Sequence, residues 1–292
     1  ADAATVRDAA GRSVTVNDAS RIVSIGGAVT EILYALGLSD RVVAVDTTSL
    51  YPDDALKNKP NVGYFRALSA EGVLGLNPSL VLAIDGAGPK ETVSVLEAAA
   101  VPFVRVPDHY SADGILQKIR LIAEATGQHG RGECLAMQVA TDIAALAAQR
   151  QGMKQPDRVM FVISFLNGKP MVAGRNTAAD GIIRMAGAVN AIDAYEGYKQ
   201  ISDEAVIAAS PDTVLVMQRG RDNIDAATMF SHAAFTMTPA AARKSFIAMD
   251  GLYLLGFGPR TATAARDLAE RLYPAPGHEA LPSERASNGC YR

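Results

Sequence analysis

The chain has 292 residues, 49% of them hydrophobic and 20% charged, enough to bury a sizeable core and matching two domains of ordinary size. Its 28 basic and 31 acidic side chains leave a net charge of -3, so no basic excess points to nucleic acid or to an anionic membrane surface. No apolar run of about 18 residues occurs, which excludes a helical membrane span and direct membrane insertion.

The sequence opens Ala1-Asp2-Ala3-Ala4 without a Met. That fits a mature product left by cleavage after small residues, so export is the expectation. A β-rich run, Arg21-Ile22-Val23-Ser24-Ile25, predicts the first buried strand. The helix Thr30 to Leu36 follows it, with Glu31 near its start and Gly37 at its end. Asn61 to Glu71 then predicts a loop opened by Gly63 and a helix capped by Ser69, before the Asn77-Pro78 turn and a strand at Leu80-Val81-Leu82. Arg131 to Arg150 has apolar residues at 135, 139, 143 and 146 and six alanines, a strong helix pattern. At 1.5 Å per residue it spans about 30 Å, the length of a stiff connector between lobes, though an ordinary amphipathic helix of one lobe has the same pattern.

Beyond Gly152 the pattern starts again. The run Val159-Met160-Phe161-Val162-Ile163 and the helix around Asp180 to Gly187 echo the first strand and helix. Ser202-Asp203-Glu204-Ala205-Val206-Ile207 and Ser210-Pro211-Asp212-Thr213-Val214-Leu215 echo Ser69 to Leu74 and Asn77 to Leu82. Strands alternating with helices over both halves predict an α/β protein of two lobes with largely parallel sheets: 1-130, a connector helix at 131-152, and 153-292. Cys134 and Cys290 form either a disulfide or two unrelated thiols.

Tyr64 and Arg66 carry the chemistry. Residues two apart on an extended loop point the same way, so a phenol and a guanidinium would face one ligand. That pair suits a ligand with both a hard, oxygen-seeking metal and carboxylates, and iron porphyrin is one. A phenol with a reference pKa of about 10 needs help to ionise, which ferric iron and a neighbouring arginine supply. The bland alternatives are a tyrosine that only packs its ring and a solvated arginine. His109, His129, His232 and His278 lack metal-ligand spacing, which disfavours a zinc or manganese receptor. His232 is the one to test near a ligand. No Walker loop, Gly-x-Ser-x-Gly elbow or dinucleotide fingerprint supports an enzyme.

Four segments together resemble the haem-binding periplasmic proteins of bacterial haem ABC importers, relatives of cobalamin- and siderophore-binding proteins. They are Arg21 to Ser24 followed by Gly27-Ala28-Val29-Thr30-Glu31-Ile32, then Gly63-Tyr64-Phe65-Arg66-Ala67-Leu68-Ser69, Ala173-Gly174-Arg175-Asn176-Thr177-Ala178-Ala179-Asp180, and Leu255-Gly256-Phe257-Gly258-Pro259-Arg260. The resemblance implies a periplasmic receptor that holds ferric haem in a cleft between lobes and delivers it to an inner-membrane ABC permease. It implies Tyr64 as axial iron ligand and Arg66 on a propionate. Arg219, or its neighbour Arg221, would support the tyrosinate, and Glu31 and Asp180 would dock on the permease. Phe65, Met229 and Phe257 are expected as apolar contacts, and Tyr198 as a second tyrosine placed by the repeat. A siderophore or cobalamin receptor is the alternative, with a haem-using enzyme behind it.

Overall fold

β-branched runs too short for helices and bounded by Gly, Pro and Asn form the strands, and the alanine- and leucine-rich stretches between them form the helices. The computed structural model describes residues 2–151, 155–219, 223–274 and 290. The chain divides into two units: Ala1–Thr141 with Phe257–Pro259 and Glu284–Arg292, and Asp142–Gly256 with Arg260–Ser283.

In the first unit, β1 (Ala4–Arg7) and β2 (Ser13–Val16) make an antiparallel hairpin. The main sheet has the order β4-β3-β5-β6, built from β3 (Ile22–Ile25), β4 (Val42–Val45), β5 (Leu80–Ile84) and β6 (Phe103–Val106), and every neighbour is parallel. The helices are α1 (Gly27–Ala35), α2 (Asp53–Asn58), α3 (Ala70–Leu74), α4 (Lys90–Ala98) and α5 (Ala112–Ala125). Strands buried on both faces are what a parallel sheet covered by helices requires, and β3 and β5 are buried along their whole length.

The stretch expected as a helix from 131 forms α6 (His129–Gln149), inside which the boundary between the units falls. Cys134 on this helix forms a disulfide with Cys290, and both belong to the first unit.

The second unit contains β7 (Arg158–Leu166), β8 (Lys169–Ala173), α7 (Ala178–Met185), β9 (Val189–Asn190), β10 (Tyr198–Gln200), α8 (Asp203–Ala209) and β11 (Thr213–Gln218). It continues with α9 (Ala226–Ser231), α10 (Pro239–Arg243), β12 (Phe246–Asp250), α11 (Gly251–Leu255) and α12 (Thr261–Leu272). Strands β9, β7, β11 and β12 are parallel, while β8 and β10 add an antiparallel edge. The hairpin between β7 and β8 turns at Asn167 and Gly168, both at positive φ, the geometry that an Asn-Gly turn supplies.

The repeat is visible in the helix starts. The Ser69 side chain accepts the Gly72 N–H and the Ser202 side chain accepts the Ala205 N–H, so the two echoed serines cap α3 and α8 as expected. Each such cap contributes about 1 kcal/mol.

Candidate functional site

The Tyr64 loop lies at the carboxyl end of the first unit's parallel strands, where α/β sheets present ligand-binding loops. Three sets of backbone bonds hold it there. The Val62 N–H donates to the Val45 carbonyl (2.9 Å) and the Val45 N–H to the Pro60 carbonyl (3.0 Å), which extends the edge of β4. The Thr47 N–H donates to the Gly63 carbonyl (3.0 Å). Past the tyrosine, the Gly88 N–H donates to Phe65 and the Leu68 N–H to Gly88, both at 2.9 Å. Gly63 sits at φ 94, a conformation a side chain would strain, so glycine is required at the bend.

Beneath this edge, Asp46 is fully buried just after β4. Its carboxylate accepts the Gly26 N–H (2.9 Å), the Ser49 hydroxyl (2.8 Å) and the Thr48 hydroxyl (2.6 Å). A buried carboxylate this well satisfied fixes the loops after β3 and β4 relative to each other.

The local conformation differs from the extended loop expected at Tyr64 to Arg66. The Ala67 N–H donates to the Tyr64 carbonyl (2.8 Å), closing a turn, so period-two alternation does not align the two side chains. Both side chains instead pack on the Phe65 ring. It is half-buried against the first unit's core, Tyr64 meets it edge-on with centroids 5.0 Å apart, and the Arg66 guanidinium lies 5.1 Å from its centroid. Tyr64 is 46% exposed, and among the described residues its hydroxyl has no hydrogen-bond partner. Arg66 is exposed, with no carboxylate pairing with it among the described residues. Phe65 is therefore a pedestal for the pair.

Sequence reasoning missed Tyr110. It follows β6 at the same strand-end edge and is 37% exposed, its ring edge-on to Phe257 at 5.5 Å. Burial, and then Asp108 beside it, push its phenol above the ordinary tyrosine range, while Arg66 nearby pulls the other way. Asp108 in turn accepts the ammonium of Lys118, a side chain with no exposure, at 2.8 Å. The same ammonium donates to the Phe257 carbonyl at 2.9 Å. The signal available in the sequence was position alone, since Pro107 to Tyr110 directly follows the strand-like stretch Phe103-Val104-Arg105-Val106.

Several other expectations need correction. Phe257 is fully buried at φ 49 in the first unit, and Met229 is fully buried in the core of the second, so neither presents a wall to a ligand. Tyr198 lies on the edge strand β10, 37% exposed and edge-on to Phe161 at 6.4 Å, so the repeat does not reproduce the Tyr64 turn there. Arg219 follows β11 and is exposed, its N–H donating to the Asn223 Oδ1 (2.8 Å). Arg221 lies outside the described residues. His232 has both nitrogens engaged, Nε2 with the Gly168 carbonyl at 2.6 Å and Nδ1 with the Ala234 N–H at 3.1 Å, which leaves none for a metal. No cluster of three or more His, Cys, Asp or Glu occurs among the described residues.

The two acids expected to dock on a partner are both buried. Glu31 is 5% exposed on α1 beside Gly258, where an added Cβ would lie 3.7 Å from its carboxyl group. Asp180 is 8% exposed and accepts the Asn190 amide (2.9 Å) and the Arg184 guanidinium (3.0 Å). A docking charge has to reach solvent, and these are held inside their own units. The repeat offers another pair. Glu71 and Glu204 each stand two residues after the capping serine of α3 and α8, and both are exposed.

A family model described as Periplasmic binding protein matches residues 22–252. Among solved structures, the periplasmic haem-binding protein RhuT of Roseiflexus sp. RS-1, in apo form, is 42% identical, covering 88% of this chain and 98% of that one, with a TM-score of 0.82. The periplasmic haem-binding protein BhuT, in complex with two haems, is 38% identical over 86% of this chain and 97% of that one, with a TM-score of 0.81. The vitamin B12-binding protein of Vibrio campbellii (strain ATCC BAA-1116) is 28% identical over 209 residues, 70% of this chain and 73% of the relative.

Proposed function

This chain belongs to the periplasmic binding protein family, and from that premise we propose that it is a periplasmic haem receptor serving an inner-membrane ABC permease. It is a substrate-binding protein and not an enzyme. The observation that carries the reading is the exposed Tyr64 phenol and Arg66 guanidinium flanking one Phe65 ring at a strand-end edge. Tyr64 ligates ferric iron through its oxygen, and Arg66 pairs with a propionate. The likeness to RhuT and BhuT, both named for haem, supports this choice of ligand.

Delivery uses Glu71 and Glu204, repeat-related and exposed, as a two-point contact with basic residues of the permease. The test of ligand identity is a titration with ferric haem followed by visible absorption. A saturable tyrosinate-type charge-transfer spectrum is expected, and no binding overturns the reading. The likeness to a vitamin B12-binding protein favours a corrinoid as the second reading. Cyanocobalamin that binds this chain while ferric haem fails to compete with it would select that reading.

A further inference from the structure

Tyr110 is 37% exposed and stands on a fixed support. Asp108, two residues before it, accepts from the ammonium of Lys118 at 2.8 Å, a side chain with no exposure at all. The ring is braced from behind by Phe257, fully buried, and Phe257 is itself fixed through its carbonyl by the same Lys118. One buried cation therefore holds both the segment that carries Tyr110 and the backing of its ring.

That surface belongs to the same edge as Tyr64. The Asp85 N–H donates to the Val106 carbonyl (2.7 Å) and the Gly88 N–H to the Phe65 carbonyl (2.9 Å), so the loop after β5 ties the end of β6 to the Tyr64 loop. Arg66 packs on Phe65, and Phe65 meets Tyr64. The series Tyr64, Phe65, Arg66, Tyr110 runs within one unit, across the loops that follow β4, β5 and β6.

We infer that Tyr110 is a second, metal-independent contact of the ligand, its ring taking the apolar surface of a planar tetrapyrrole while Tyr64 takes the metal. The inference rests on the haem reading and adds a division of labour to it. Tyr110 is poorly suited to bind iron itself, because the carboxylate beside it opposes formation of a phenolate, whereas an aromatic ring needs no charge to pack on a macrocycle. Asp108 and Lys118 act as positioning residues.

Metal-free protoporphyrin IX separates the two roles, because it offers the macrocycle and propionates without iron. Its affinity is measured by porphyrin fluorescence for the full chain, Tyr64→Phe, Tyr110→Phe and Tyr110→Ala, with thermal melts to establish that each variant is folded. Tyr110→Ala is expected to weaken metal-free porphyrin by about tenfold, or 1.4 kcal/mol. Tyr110→Phe, which keeps the ring, should bind as the parent does, and Tyr64→Phe should lose the ferric haem spectrum but keep metal-free porphyrin. Unchanged porphyrin affinity in folded Tyr110→Ala overturns the inference and leaves the haem reading standing. Failure of the parent chain to bind either haem or porphyrin overturns both.

Discussion

Replacing Tyr64 with Phe removes one oxygen and nothing else of size. The ring's edge-on contact with Phe65 at 5.0 Å is retained, the residue is 46% exposed, and the lost hydroxyl has no partner among the described residues. Stability should therefore change by no more than about 0.5 kcal/mol, the range of surface substitutions, and the melting temperature by no more than about 2 °C. Binding should respond quite differently. Changing groups that merely orient a metal ligand costs about 10- to 100-fold in metal affinity, so removing the ligand itself should cost at least about 100-fold, or 2.8 kcal/mol. Ferric haem titration read by absorption, paired with circular dichroism melts, measures both quantities on one preparation. A folded Tyr64→Phe protein with the parent's charge-transfer band and affinity would refute ligation by Tyr64, since no other change accompanies the loss of oxygen.

Arg66→Ala should weaken haem with free propionates much more than haem dimethyl ester, and equal losses in calorimetric titrations of the two would reject the propionate contact. Glu71→Lys combined with Glu204→Lys should leave haem titrations unchanged while abolishing permease-dependent uptake, and normal uptake by the double variant would remove both acids from the interface. Lys118→Met leaves Asp108, 24% exposed in its side chain, without its cation. The cost expected for breaking a buried pair is about 3–5 kcal/mol, or about 6–20 °C in melting temperature, and a shift under 2 °C would show that the pair holds little. Tyr195, whose hydroxyl donates to the Val172 carbonyl at 2.9 Å, is pushed up to about 12 by burial. The unfolded phenol ionises near pH 10, so its contribution is full below that pH and is lost as pH rises toward 12. Tyr195→Phe should flatten this alkaline limb of the stability curve, and an unchanged limb in denaturant titrations would assign the loss to other groups.

Regular elements were legible because their causes are local. Runs such as Val159 to Ile163 can only be buried strand, the alanine-rich stretch after Arg131 can only be helix, and Ser69 and Ser202 announce helix starts that the structure reproduces hydrogen bond by hydrogen bond. The hairpin of β7 and β8 was also written in the sequence, as Asn167-Gly168 between two apolar stretches. Burial was harder to see. Glu31 and Asp180 carry the charge of surface residues, and only the neighbours brought by distant segments, Gly258 for one and Asn190 with Arg184 for the other, reveal that they are enclosed. Met229 and Phe257 failed in the opposite sense, since an apolar side chain suits a core as well as a pocket and the sequence does not distinguish them.

The Tyr64 motif was found for a reason that proved incomplete. Spacing by two would align Tyr64 and Arg66 on an extended chain, yet the chain turns there, and what both of them pack on is the residue between. Phe65 matters because its ring reaches the core of the first unit and gives two long side chains a shared, rigid surface. The motif is thus a three-residue device in which the central apolar side chain orients the outer two. Phe65→Ala should then loosen both neighbours at once and weaken haem and metal-free porphyrin together. Tyr64→Phe should touch only the iron-bearing ligand, so parallel titrations with the two ligands distinguish a lost pedestal from a lost metal bond.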